Sequence, residues 1–359
     1  MDKKALRLRN WIDIRQFRPP VIESLSNYDS LMWSGDWRAG VNVALLAIPQ
    51  GMAYALVAGL PISYGLLGSA VAAIMGGIFG GGRFITLGPT NATAVLLFGV
   101  FAGIGLIQAD GMASSDALLL LPWILIASAL FLIVASLLRI SFMIQFISRT
   151  VITAYVTAAC CLIIANQCKH LLGLQNSSDE VPITFFEIIL NASLSLHSFS
   201  VPALTLSSIT AILFFLLQRK FPSLPNVAIT LVLSSLIAFG LEEINWKIKK
   251  LDNFDLAGSF LTLPEMSNFT NHWETILSAA FAVSLLCLLE GLSIGKSLAA
   301  RAGSRLDSNQ EAMSIGFGNL GCAFLSGMPA SGSLTRSTLN VQSGARTSIA
   351  NLVAGGLII

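Results

Sequence analysis

Long apolar segments recur along almost the whole chain. A helix needs about 20 apolar residues to cross the hydrocarbon core of a bilayer. Eleven segments approach or exceed that length, at about 40–58, 62–80, 88–107, 117–138, 142–167, 199–218, 225–241, 273–299, 310–327, 333–345 and 347–359. Only 11% of the 359 residues are charged, against roughly 25% in soluble domains, which excludes an ordinary water-soluble globule. The sequence therefore predicts an all-α polytopic protein embedded in a lipid bilayer.

The basic residues predict how these spans are oriented. With a cytoplasmic N-terminus and alternating spans, the inner loops hold Arg83, Arg139, Arg149, Arg219, Lys220, Arg301, Arg305 and Arg346. This bias follows the positive-inside rule and predicts that the N-terminal arm, residues 1–38, lies in the cytoplasm. We expect the membrane to be the plasma (cell inner) membrane. The outer connections, at about 171–198 and 242–272, are interpreted as ordinary solvent-exposed loops. The net charge is only +2, so we expect no nucleic-acid partner.

The third and tenth spans are short, and each follows a turn that contains proline and glycine. Gly88 and Pro89 precede the third span, and Pro329 and Gly332 precede the tenth. A helix that begins at mid-membrane directs its free N–H groups and positive dipole end into the protein. Such half-helices are typical of anion sites in transporters. The competing interpretation is that the third span simply begins at the membrane surface.

Arg336 lies in the first turns of the tenth span. An arginine at membrane depth costs roughly 2.5–3.5 kcal/mol on insertion scales, and its charge opposes the dipole of a helix N-terminus. A bound anion would compensate both effects, whereas the competing interpretation has the side chain extend to the membrane surface. The third and tenth spans are seven spans apart, which is the spacing expected of an inverted seven-plus-seven repeat.

Three further polar residues lie inside apolar spans. Gln50 and Tyr54 follow Pro49 in the first span, and their spacing of four places them on one helix face. They either line a cavity or accompany a simple proline kink. Glu290 lies deep in the eighth span, where a carboxyl group is a candidate to take up a proton or to lie near a sodium ion. The alternative role for Glu290 is a fixed ion pair with Arg336 or another basic group.

The sequence gives no support for catalysis or metal binding. None of the predicted spans contains a histidine or an aspartate, so neither a Ser/His dyad nor an aspartate pair for intramembrane proteolysis is available. The five cysteines form no CxxC pair. We expect no enzymatic activity, no metal and no cofactor.

Several motifs occur in a characteristic order along the chain. They lie at 47–55 (AIPQGMAYA), 58–61, 64–66, 79–80, 88–89, 147–167, 169–173, 294–299, 327–329, 332–337 and 343–347. With these motifs the chain, from about residue 30 to its end, resembles the sulfate permease (SulP) family, whose animal relatives form solute carrier family twenty-six. Thr150 stands where many members have proline.

The resemblance implies fourteen spans in two inverted repeats of seven, divided into a core and a gate domain. It places the first repeat at 39–243, an extracytoplasmic connection at 244–272 and part of the second repeat at 273–359. Because the last residues stop inside an apolar run, we expect the twelfth to fourteenth spans and a cytoplasmic STAS domain to follow in a longer parent chain. The anion-site residues implied by the resemblance are Gln50, Tyr54, Thr90, Asn91, Ala92, Ser333, Leu334, Thr335 and Arg336.

The expected function is secondary transport of a small inorganic anion by alternating access, often in homodimers with an elevator-like motion. Sulfate is the first candidate, by proton symport through Glu290. Sodium-coupled bicarbonate transport is the second, and chloride is a further possible substrate. A dicarboxylate or nucleobase carrier on the same fold is a rival. A non-transport rival is an anion-responsive voltage-sensing membrane protein.

Overall fold

The computed structural model describes residues 19–26, 28–108, 111–139, 149–174, 184–221, 226–243, 246, 261 and 264–359. Its helices are α1 (Val21–Ser26), α2 (Ser30–Val57), α3 (Ile62–Phe79), α4 (Asn91–Gly103), α5 (Ser115–Leu137), α6 (Arg149–Leu172), α7 (Phe185–Leu194), α8 (Val201–Lys220), α9 (Asn226–Glu242), α10 (Met266–Arg301), α11 (Ser308–Phe324), α12 (Leu334–Gln342) and α13 (Ile349–Ile358). Two short strands, β1 (Leu87–Gly88) and β2 (Ser331–Gly332), precede α4 and α12. Every predicted span corresponds to one of these helices.

The first span begins earlier than its apolar run. It starts at Ser30, and the Asp29 side chain caps it by accepting a hydrogen bond from the Met32 N–H at 2.7 Å. Its first turns carry polar and charged side chains, so they lie outside the apolar run from which the span was predicted. The expected arm, residues 1–38, is therefore partly helical, while residues 1–18 lie outside the described part of the chain.

The first outer connection, predicted as an ordinary loop at about 171–198, contains the helix α7. Its N-terminus has a capping box, in which Thr184 and Glu187 satisfy each other's backbone N–H groups. Phe186 is 81% exposed, and several neighbouring apolar side chains are also exposed. Because Phe185–Leu194 is a helix, the loop interpretation is wrong for this part. The second connection is partly helical too, because α10 begins at Met266. Most of 244–263 lies outside the described residues.

Most of the buried side chains belong to a unit formed by α2–α5 and α10–α13. In this unit α11 packs between α5 and α3, and α13 packs against α3 and α2. Helices α2 and α3 approach closely at Gly51 and Gly65, where an added Cβ on Gly65 would lie 1.9 Å from the Gly51 carbonyl oxygen. Small residues of this kind allow membrane helices to come into backbone contact.

The helices α6–α9 form a second group. Helix α8 packs against α6 and α9, and α7 packs against α6. This group touches the first unit through pairs such as α4 with α6 and α2 with α9. None of the described residues of α8 is buried. The division into a core and a gate domain, and its boundaries, stay a prediction.

A buried aspartate connects the start of α2 to the turn before α13. Asp36 is fully buried and accepts hydrogen bonds from the N–H groups of Arg346, at 2.6 Å, and Thr347, at 3.0 Å. It also accepts from the Thr347 hydroxyl, and from the Tyr28 hydroxyl at 3.0 Å. Hydrogen bonds to a charged acceptor are stronger than neutral ones, so this cluster fixes α13 relative to α2.

The two short strands bring the starts of α4 and α12 together. They pair antiparallel, with Leu87 opposite Gly332 and Gly88 opposite Ser331. Because each strand leads directly into its helix, the pairing places the two helix N-termini side by side. The arrangement is reinforced by Thr86, whose N–H donates to the Ser337 hydroxyl at 2.9 Å and whose hydroxyl donates to Asn351 Oδ1 at 2.8 Å.

Candidate functional site

Local side chains satisfy two N–H groups at the start of α4 and one at the start of α12. The Thr93 N–H donates to Thr90 Oγ1 at 3.3 Å, and the Thr90 N–H donates back to Thr93 Oγ1 at 3.1 Å. At α12 the Arg336 N–H donates to Ser333 Oγ at 3.4 Å. Both helices thus start with a threonine or serine cap, and short polar side chains of this kind are preferred at the N-cap position.

The next N–H groups of both first turns remain unpaired. Among the described residues no acceptor faces the N–H groups of Asn91, Ala92, Leu334 and Thr335. Asn91, Leu334 and Thr335 are exposed, whereas Thr90 and Ser333 are buried. Four unpaired donors therefore lie at two adjoining positive helix ends; three belong to exposed residues that a solute can reach, and the fourth belongs to Ala92, which is buried. Such an arrangement is suited to an anion.

Arg336 lies behind these donors and is fully buried. Its Nη2 donates to the Pro89 carbonyl, and its Nε and Nη1 have no hydrogen-bond partner among the described residues. The guanidinium packs against Gly88, where an added Cβ would lie 2.5 Å from Nη1. The side chain does not extend to the membrane surface, so that competing interpretation is wrong. Its buried charge adds to the positive potential of both helix ends.

The first span contributes the residues expected of it. Gln50 Nε2 donates to Thr335 Oγ1 at 3.3 Å, and Gln50 Oε1 is buried without a partner in the described part of the chain. Tyr54 lies one turn further along and interacts electrostatically with both Arg336 and Glu290. Gln50 and Tyr54 therefore lie beside the two helix ends.

Glu290 reaches the same place from α10. Its Oε2 accepts a hydrogen bond from Thr90 Oγ1 at 2.9 Å. Since the Arg336 nitrogens are either unpaired or bonded to Pro89, the two side chains form no fixed ion pair. The alternative role for Glu290 as the partner of Arg336 is therefore wrong.

Sequence reasoning missed several residues that position the site. Asn319, in the ninth span, is fully buried and bonds both the N–H and the carbonyl of Ala330, at 3.1 and 2.9 Å. Ser331 donates to the Cys287 carbonyl at 2.9 Å and so attaches β2 to α10. The signal that would have revealed Asn319 is a polar side chain inside an apolar span, the same kind of signal that identified Glu290.

The model of the sulfate permease family matches residues 33–359. The chain belongs to this family. The curated protein named "Sulfate transporter 4.1, chloroplastic" from Arabidopsis thaliana is 30% identical over 368 residues, covering 99% of this chain and 51% of the transporter. The chain thus spans about half the length of this relative.

Two solved structures of membrane transporters share the fold. The transmembrane domain of the cyanobacterial bicarbonate transporter BicA has a TM-score of 0.80 at 20% identity, covering 92% of this chain and 82% of that one. The murine anion transporter Slc26a9 has a TM-score of 0.79 at 19% identity, covering 95% of this chain and 58% of that one. The predicted fold class, a helical inverted-repeat membrane transporter, is confirmed, and the chain is an integral membrane protein.

Proposed function

We propose that this protein is a secondary active transporter of a small inorganic anion and not an enzyme, with sulfate as its first candidate substrate. The observation that carries the proposal is the meeting of two helix N-termini. Four unpaired N–H groups lie there, and the buried charge of Arg336 stands behind them. A binding site made of backbone donors and one arginine suits a compact, highly charged oxyanion.

Proton symport is the proposed coupling. The Glu290 carboxyl lies within hydrogen-bond distance of the cap of α4, so its charge acts on the same helix end that would hold the anion. A neutral Glu290 leaves that end free for a negative ligand, and an ionised one opposes it. A proton and an anion would therefore bind together, which is the requirement of symport.

Transport would proceed by an elevator-like motion. In this proposal the unit of α2–α5 and α10–α13 carries the anion past the group α6–α9, which belongs to the gate. The parent protein would be a homodimer in the plasma membrane with its N-terminus in the cytoplasm. The basic inner loops support that orientation.

Sodium-coupled bicarbonate transport is the second candidate. It is favoured by the likeness to BicA, which is named a bicarbonate transporter. A nucleobase carrier fits less well, because a neutral base would leave the buried charge of Arg336 uncompensated. A voltage-sensing role without transport would give gating charge and no solute flux.

The test is uptake of radiolabelled sulfate by the full-length parent protein in proteoliposomes, with and without an inward proton gradient. Arg336→Ala should lower sulfate affinity about tenfold or more, because it removes the charge behind the donors. Arg301→Ala is the matched control, since Arg301 is exposed at the end of α10. Size-exclusion chromatography checks that both variants fold.

Sulfate accumulation that follows the proton gradient would support the proposal. Sulfate affinity that survives in a folded Arg336→Ala variant would count against the site. Bicarbonate uptake driven by sodium, without sulfate flux, would retain the fold and replace both substrate and coupling ion.

A further inference from the structure

One hydroxyl group connects Glu290 to the first turn of α4. Thr90 Oγ1 donates to Glu290 Oε2 at 2.9 Å and accepts the Thr93 N–H at 3.3 Å. Thr93 Oγ1 lies 3.2 Å from Thr90 Oγ1 and is a second available acceptor for the Thr90 hydroxyl proton. Thr90 is buried, so its hydrogen bonds are exchanged within this cluster and not with bulk water.

The direction of this hydrogen bond depends on the charge of Glu290. A hydroxyl has one proton to donate, and an ionised carboxylate can only accept. When Glu290 is ionised, the Thr90 proton must therefore point at it. When Glu290 is neutral, its own proton can be donated to Thr90 Oγ1, and the Thr90 proton is free to turn towards Thr93 Oγ1.

The same hydrogen bond holds a negative charge at the start of α4. A carboxylate at a helix N-terminus is stabilised by the dipole, so it occupies the positive potential that an anionic ligand would use. The free N–H groups of Asn91 and Ala92 follow Thr90 directly in the chain. Ionised Glu290 and a bound anion therefore compete for one helix end.

We propose that Thr90 is a positioning residue for ion coupling. Its hydroxyl holds the Glu290 carboxyl against the α4 N-terminus, so that proton binding at Glu290 raises the affinity of the neighbouring free N–H groups for the anion. The inference rests on the proposed function and adds the contact through which the proton and the anion act on each other.

Other ionisable groups also face this place. Tyr54 from α2 interacts with Glu290 and with Arg336 from α12, Cys287 on α10 itself interacts with Glu290, and Cys322 from α11 interacts with Cys287. Tyrosine, cysteine and arginine side chains ordinarily change charge only above about pH 8. Measurements between about pH 5 and pH 7.5 therefore follow the carboxyl group among these residues.

The experiment measures the dissociation constant of labelled sulfate at equilibrium, on the full-length parent protein in nanodiscs, in buffers free of other oxyanions. The variants are Thr90→Val, which removes the hydroxyl at nearly constant shape, and Thr90→Ser, which keeps it. Glu290→Gln removes the titrating group. Thr93→Val is the control for disruption of the helix cap: it removes the alternative acceptor Thr93 Oγ1 but keeps the Thr90–Glu290 contact, and the proposed coupling requires only that contact.

We expect the wild-type dissociation constant to decrease as the pH is lowered, by up to about tenfold per pH unit, as for one proton linked to one anion. Thr90→Val should reduce that slope to less than about half of the wild-type value, and Thr90→Ser should restore it. Thr93→Val should retain the wild-type slope, even where its thermal stability is lower.

A wild-type slope in Thr90→Val would overturn the inference. So would a slope lost equally in Thr93→Val, because the effect would then come from the helix cap. In either case a flat profile in Glu290→Gln would leave the proposed proton coupling standing. If the wild type binds sulfate without any pH dependence, the proton coupling itself is wrong, and the inference is wrong with it.

Discussion

The crossing of α2 and α3 permits a quantitative test of the fold. A Cβ added to Gly65 would lie 1.9 Å from the Gly51 carbonyl oxygen, 2.6 Å from its carbonyl carbon and 2.9 Å from Ala55 Cβ. Contacts of a real Cβ below 3.0 Å are essentially never seen. The Gly65→Ala substitution therefore requires the two helices to move apart by roughly 1 Å at this point.

The clash cannot be relieved by a change of rotamer, because its nearest atom belongs to the backbone. Overpacking of this kind usually costs about 1–3 kcal/mol, and a backbone clash belongs at the upper end. The helix propensity of alanine returns at most about 1 kcal/mol. We expect a net destabilisation of about 2 kcal/mol, which for a chain of 359 residues corresponds to an apparent Tm lowered by about 3 °C.

The assay heats the detergent-solubilised parent protein and measures the fraction that remains monodisperse by fluorescence-detected size-exclusion chromatography. Gly99→Ala is the matched control, because nothing lies within 4 Å of the position of its added Cβ in α4. That variant should keep or slightly raise the Tm. Equal Tm values for Gly65→Ala and Gly99→Ala would show that the described approach of α2 and α3 is wrong.

Three other substitutions test the site and its support. Gly88→Ala places a Cβ 2.5 Å from Arg336 Nη1, which displaces the guanidinium. We expect it to weaken sulfate binding about tenfold in an equilibrium binding assay. Unchanged affinity would contradict the packing of the guanidinium against Gly88. Asp36→Asn should lower stability by about 2 kcal/mol in thermal unfolding, because the charged acceptor of the Thr347 bonds is lost, and an unchanged Tm would argue against the cluster. Burial and the Asp36 carboxylate raise the pKa of Tyr28 above its ordinary 10.0. The stability advantage of the wild type over Tyr28→Phe in thermal unfolding should therefore be constant below pH 10.0 and shrink above it. A constant advantage at higher pH would refute the contact.

The sequence located the half-helices because their signals are local. Gly88 and Pro89 precede α4, and Arg336 stands out in a span that otherwise lacks charge. The helix ends were harder to predict. Helix α2 begins at Ser30 because Asp29 caps it, and a search for apolar runs does not detect caps.

The contacts that organise the site could not be predicted from local patterns. Thr90 and Glu290 are 200 residues apart, and no periodicity of either helix specifies that they meet. The pairing of β1 with β2 is similar, because each strand has only two residues. Asn319 and Asp36 were also missed, since a single polar residue does not reveal which distant backbone groups it satisfies.

The unpaired donors at the two helix ends have a consequence for how such a protein can change over time. They are main-chain groups, so side-chain replacement leaves them in place, and proline is the one residue type that removes an N–H. The attraction for negative solutes is therefore robust to mutation. The side chains beside these donors, such as Gln50 and Tyr54, do not supply the N–H groups, so a substitution there would change selectivity while the main-chain donors stay in place.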